Sequence, residues 1–175
     1  MIRRDHCIGI DRRAIEHHLW GKKAMTRDTL VQCTQVEREA ILHTVQQALE
    51  TQSKVVFAYV YGSFLENRPF HDIDVAVYLD LADEDEKKIS QFVLDLAFHL
   101  EEALARTLNR VGVHLPVDVR ALNRAPLRFC YHVFRGKLLF SRDEALRAQQ
   151  IERTIYRYLD IKPLRLRALK EAMTA

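Results

Sequence analysis

Two aspartates one residue apart, Asp72 and Asp74, open the apolar run "DIDVAVYL". Aspartate is a poor strand former, so a pair at the mouth of a buried strand demands a reason. Side chains at i and i+2 of a strand share a face, which makes the two carboxylates project together, with Ile73 opposite. A Gly-Ser pair, Gly62-Ser63, follows the preceding apolar run "KVVFAYVY", and a third carboxylate, Asp118, sits between Val117 and Val119 in "PVDVRAL". Carboxylate oxygens gathered on one face suit Mg²⁺, which keeps several waters and bridges to substrate phosphates. Gly62 lets backbone approach a ligand closely. The Ser63 hydroxyl and nearby N–H groups can donate to phosphate oxygens.

The elements that must position these residues follow from periodicity and punctuation. "TQVEREAILHTVQQALE" from Thr34 reads as a helix, with Thr34 as N-cap and Glu37 completing a capping box. Lys54 to Gly62 and Asp72 to Leu79 read as strands. The loop between them is too short for a helical crossover, so the two strands are expected to run antiparallel. "DEDEKKISQFVLDLAFHLEEALARTLNR" from Asp83 is the clearest helix, with Ile89, Phe92, Val93, Leu96, Leu100 and Leu104 on one stripe and Gly112 as its stop. A crossover helix usually returns the chain parallel to where it began. The third strand, "HLPVDVRAL" from His114, should therefore start at the same end of the sheet. Topology alone then brings Asp72, Asp74, Asp118 and the Gly62-Ser63 turn to one edge. "RGKLLFS" suggests a short strand and "RDEALRAQQIERTIYRYLD" a helix that Pro163 should interrupt.

Each residue has a plainer reading. Asp72 and Asp74 alone could be a solvated strand edge, Ser63 an ordinary turn residue, and Asp118 one half of an ion pair with Arg120 or Arg124. The conjunction of all of them favours a metal site, because three unpaired carboxylates would repel one another. A phosphatase of the haloacid dehalogenase type fits less well, since it needs the apolar strand before its Asp-x-Asp rather than after it. His71 reads as a surface loop residue, and His99 and His132 as packing residues. Tyr156 and Tyr158, among Arg153 and Arg157, read as aromatics facing the core of a helical layer.

Composition bounds the rest. The chain has 175 residues, 48% hydrophobic and 29% charged, which fits one globular domain. No apolar run reaches membrane-spanning length, and the basic N-terminus lacks an apolar signal region, so the expected compartment is the cytoplasm with no membrane partner. Cys7, Cys33 and Cys130 are widely spaced and read as reduced thiols. Net charge is +3, and from Arg106 onward 15 Lys/Arg stand against 6 Asp/Glu. Such a basic half suits an anionic ligand or is a solvated helix face.

Gly62-Ser63 ending a strand, Asp72-Ile73-Asp74 opening the next and Asp118 on a later strand resemble the nucleotidyltransferase fold of the DNA polymerase β superfamily. The small size is similar to the minimal nucleotidyltransferases, or MNT proteins. The resemblance covers roughly residues 35–160. It implies an α/β (α+β) architecture, a small mixed β-sheet flanked by helices with a C-terminal helical segment. The expected organisation is an N-terminal extension (1–34), a nucleotidyltransferase domain (35–160) and a C-terminal basic helix or tail (161–175). Asp72, Asp74 and Asp118 become metal ligands and catalytic residues for Mg²⁺, in a two-metal arrangement. Gly62 and Ser63 become nucleotide-binding, with ATP as substrate. The implied function is transfer of AMP to a hydroxyl, such as a tyrosine of a HEPN-type toxin, by its antitoxin. Family members often carry Ala-Arg-Gly where this chain has Leu65-Glu66-Asn67, which leaves Arg68 as the substitute cation. That departure motivates a second reading, an antitoxin acting by sequestration without catalysis. A third is transfer to RNA or a small molecule. Homo-oligomerisation stays open.

Overall fold

In the computed structural model, which describes residues 30–66, 68–80, 85–108 and 115–174, helix α1 (Gln35–Glu50) starts where its capping box places it. The Glu37 N–H donates to Thr34 Oγ1 at 3.3 Å, and the Thr34 N–H donates to the Glu37 carboxylate at 3.0 Å. Strand β1 (Val55–Tyr61) follows, then a 3₁₀ turn (Ser63–Leu65) and strand β2 (Ile73–Leu79). Helix α2 (Glu86–Leu108) crosses over to strand β3 (Val117–Ala121). Helix α3 (Leu127–Val133), strand β4 (Lys137–Ser141) and helix α4 (Glu144–Thr174) complete the chain. The start of the long helix near Asp83, its stop at Gly112, His114, Asn67, Cys7 and most of the expected N-terminal extension lie outside the described residues.

The sheet order is β3-β2-β1-β4. As expected, β1 runs antiparallel to β2 and β2 parallel to β3. Period-2 alternation splits the sheet into two unlike faces. Val60, Ile73, Val75, Val77, Leu79, Val117 and Val119 face a dry aliphatic layer built by Ile41, Val45 and Leu49 of α1 and Leu96, Leu100 and Leu104 of α2. Phe57, Tyr59, Tyr61 and Ala76 face the other way, against Cys130 and Val133 of α3.

Polar ties hold the strand ends in register. The Asn123 side chain accepts from the Leu79 N–H at 2.9 Å and donates to the Leu79 carbonyl at 2.7 Å. At the other end, the Val117 N–H donates to Glu101 Oε1 of α2 at 3.0 Å. Arg147 of α4 donates to the Tyr59 hydroxyl at 2.9 Å.

Three expectations are corrected. Helix α4 runs through Pro163 rather than breaking there; strong helix formers (Leu, Arg, Ala and Lys) follow the proline, and one lost N–H is tolerated when both flanks favour helix. Tyr156 is 63% exposed instead of facing the core, whereas Tyr158 stacks on Tyr131 of α3 at 3.9 Å between centroids. His132 is exposed, although its ring lies edge-on to Tyr61 at 5.8 Å. No helix among the described residues is long and apolar enough to cross a membrane.

Candidate functional site

The carboxylates meet through strand register. Asp74 of β2 pairs directly with Asp118 of β3 and, on its other side, with Tyr61 of β1. Residues paired across strands share a face, so Tyr61, Asp74 and Asp118 form a row on the α3 side of the sheet. Asp72 precedes β2 and stands close enough to Asp74 to perturb it. Gly62 adopts φ +78° as the chain leaves β1. A Cβ there would lie 2.0 Å from Asp74 Oδ2, so only glycine admits the carboxylate against this turn. Ser63 opens the 3₁₀ turn that follows. Asp72, Asp74, Gly62, Ser63 and Asp118 are all partly exposed.

The row is electrostatically tense. Burial, then the charges of Asp72 and Asp118, push the Asp74 carboxyl up to about 6 from its ordinary 3.8, with Arg120 pulling the other way. Negative charge is in excess there, which a divalent cation would relieve. Arg120 shares a face with Asp118 and grips one oxygen of it twice, through Nε at 2.9 Å and a terminal nitrogen at 2.8 Å. The ion pair weighed at the sequence level is therefore present, and its partner is Arg120. Among the described residues no three His, Cys, Asp or Glu side chains stand close enough together to hold a metal. The available donor set is the Asp72 and Asp74 pair, with Asp118 engaged by arginine.

Tyr61 was not singled out by sequence. Its ring packs edge-on to Phe129 at 5.5 Å, and its buried hydroxyl has no hydrogen-bond partner among the described residues. Burial, then the charge of Asp74, pushes the phenol well above its usual range, so it remains a donor. Its position just before Gly62 and its register opposite Asp74 were the available signals. Beyond Arg120, a cleft of about 340 Å³ lies between the start of α2 and the β3–α3 connection, walled by Arg120, Arg124, Ile89, Pro126 and Phe129.

The family model described as polymerase beta, nucleotidyltransferase matches residues 43–145. No curated protein matches the chain. Among solved structures, a chain from the complex of tri-AMPylated Shewanella oneidensis HEPN toxin with MNT antitoxin is similar at TM-score 0.52 and 21% identity, covering 78% of this chain and 98% of that one. A toxin–antitoxin structure with AMP-PNP matches at TM-score 0.53 and 22% identity, covering 75% and 98%. An MntA–HpeT toxin–antitoxin variant matches at TM-score 0.53 and 21% identity, with the same coverages. Likeness at these identities speaks for a shared fold.

Proposed function

The chain belongs to the polymerase beta nucleotidyltransferase family, and from that premise we propose that it transfers AMP from ATP to a hydroxyl, a tyrosine of a HEPN-type toxin, and so acts as that toxin's antitoxin. The observation that carries this reading is the pairing of Asp74 with Asp118, with the Gly62 turn fitted against Asp74. The structural relatives come from toxin–antitoxin structures, one with an AMPylated HEPN toxin and one with AMP-PNP, and they support the choice of donor and partner.

The residues fit Mg²⁺. The donors are hard oxygens, Asp74 carries uncompensated negative charge, and Mg²⁺ needs only one or two carboxylates when substrate phosphates supply the rest. Asp72 and Asp74 would hold the ion, while Asp118 stays engaged by Arg120. When bound, the metal neutralises charge that develops on the α-phosphate and pyrophosphate oxygens. The Gly62 turn receives the triphosphate, and the Ser63 hydroxyl donates to a phosphate oxygen. Asp118 accepts the proton of the acceptor hydroxyl as that oxygen bonds to the α-phosphorus and the bond to pyrophosphate breaks. Arg120 holds Asp118 in position beforehand.

The test is incubation with Mg²⁺ and each α-labelled nucleoside triphosphate in a lysate of the host, beside an Asp72→Asn/Asp74→Asn variant. The expected result is label from ATP on one discrete protein band, only with the unmutated chain. Label on RNA or a small molecule would reassign the acceptor. A folded protein that protects against its partner without transferring label would favour sequestration.

A further inference from the structure

The turn assigned above to phosphate has a single basic side chain among its described residues, Arg68, and an ion pair with Glu66 engages it. A second guanidinium reaches the turn from elsewhere. Arg38, in the first turn of α1, is 7% exposed. It donates to the carbonyl oxygen of Phe64, within the 3₁₀ turn, and to that of Arg68 at 2.9 Å. Its charged carbon lies 5.3 Å and 5.2 Å from the ring centroids of Phe64 and Phe70, which pack edge-to-face at 4.9 Å. The carbonyls and rings it touches are neutral groups, and among the described residues the Nε has no partner.

This placement is costly on two counts. A buried ion without a counter-ion carries a desolvation penalty. A cation in the first turn of a helix opposes the helix dipole. Hydrogen bonds to two carbonyls do not require a full charge.

We propose that Arg38 is the built-in counter-charge of the phosphate turn, a positioning residue that clamps Phe64 and Arg68 from beneath and presents its positive charge to an anion docked on the Gly62-Ser63 side. The ligand class is a polyphosphate, the triphosphate of the nucleotide. A guanidinium keeps its charge at any working pH, and low-dielectric surroundings weaken its screening. The proposal deepens the reading given above and rests on it.

The test separates charge from clamp by calorimetric binding of Mg²⁺·AMP-PNP to the full chain and to Arg38→Lys, Arg38→Gln and Arg38→Met, with melting curves for each. Arg38→Lys keeps the charge and loses the fork. It should bind within about threefold of the parent even where its melting temperature falls. Arg38→Met and Arg38→Gln lose the charge and should bind about tenfold more weakly, including where the methionine variant melts as high as the parent. Two charge-free variants guard against one of them failing to fold. Equal binding by the parent and every folded variant would overturn this inference alone, and so would Arg38→Lys falling as far as Arg38→Met. A parent chain that does not bind Mg²⁺·AMP-PNP would overturn the nucleotide reading and this inference with it.

Discussion

The two faces of one sheet are built from different kinds of residue. Strand β2 sends Ile73, Val75, Val77 and Leu79 into a dry aliphatic layer, each at most 1% exposed. One residue out of phase, the same strand places Asp74 beside Asp118 and Tyr61. The aliphatic face gains from burial, whereas the acidic row concentrates like charge that raises the Asp74 pKa. On the proposed function, stability and chemistry fall to alternate residues of the same strands and should be separable by substitution.

The largest expected separation is at Asp118. Asp118→Asn should lower the rate of nucleotidyl transfer about a thousandfold, within the range for loss of a general base. Affinity for Mg²⁺·AMP-PNP should change by no more than a few fold. A comparable loss in both quantities would place Asp118 in nucleotide binding instead. The opposite face should answer in the opposite way. Leu100→Ala should cost about 3 kcal/mol in urea unfolding, and the protein that remains folded should transfer at the parent rate. Gly62→Ala lies at the seam between the two, because its Cβ would collide with Asp74 Oδ2 and its φ is positive. A loss of about 1–3 kcal/mol from strain, accompanied by loss of AMP-PNP binding, should appear together in melting and calorimetry.

The smallest effect is a pH dependence. The Asp74 pKa in the folded chain, about 6, lies above its ordinary 3.8, so the folded state holds that proton more tightly than the unfolded one. The associated stability is complete below about pH 4 and is lost as pH rises through about 6. Melting temperatures in EDTA should fall across that window, and Asp74→Asn should remove this contribution. Excess Mg²⁺ should offset the fall at the upper end by stabilising the charged form.

Much of the acidic row was legible because it depends on rules that act locally or through topology. The capping box, the helical stripe from Ile89 to Leu104, the strand alternation and the crossover together brought Asp72, Asp74 and Asp118 to one edge, while the pairing of Asp74 with Asp118 came from the register. Helix α3 was not legible, since "LRFCYHV" is two turns with three ring-bearing residues and no side-chain cap, and it packs on Tyr61 and Tyr158. The exposure of Tyr156 and the continuation of α4 past Pro163 were missed for the same reason, as helix propensity and tertiary contact outweighed single-residue signals. Arg38 was invisible because its partners lie 26 and 30 residues away. The ion pair of Asp118 with Arg120 was foreseen as one of two arginine partners, and only the structure selects between them.

The most direct test of this division uses one preparation each of the parent chain and Asp74→Asn, measured for melting temperature without metal at pH 7.5 and for transfer of label from α-labelled ATP with Mg²⁺. The account predicts that Asp74→Asn melts at the same temperature or higher, relieved of a crowded charge, while transfer is abolished. Transfer retained by a folded Asp74→Asn protein, or a variant that loses activity only because it unfolds, would contradict it.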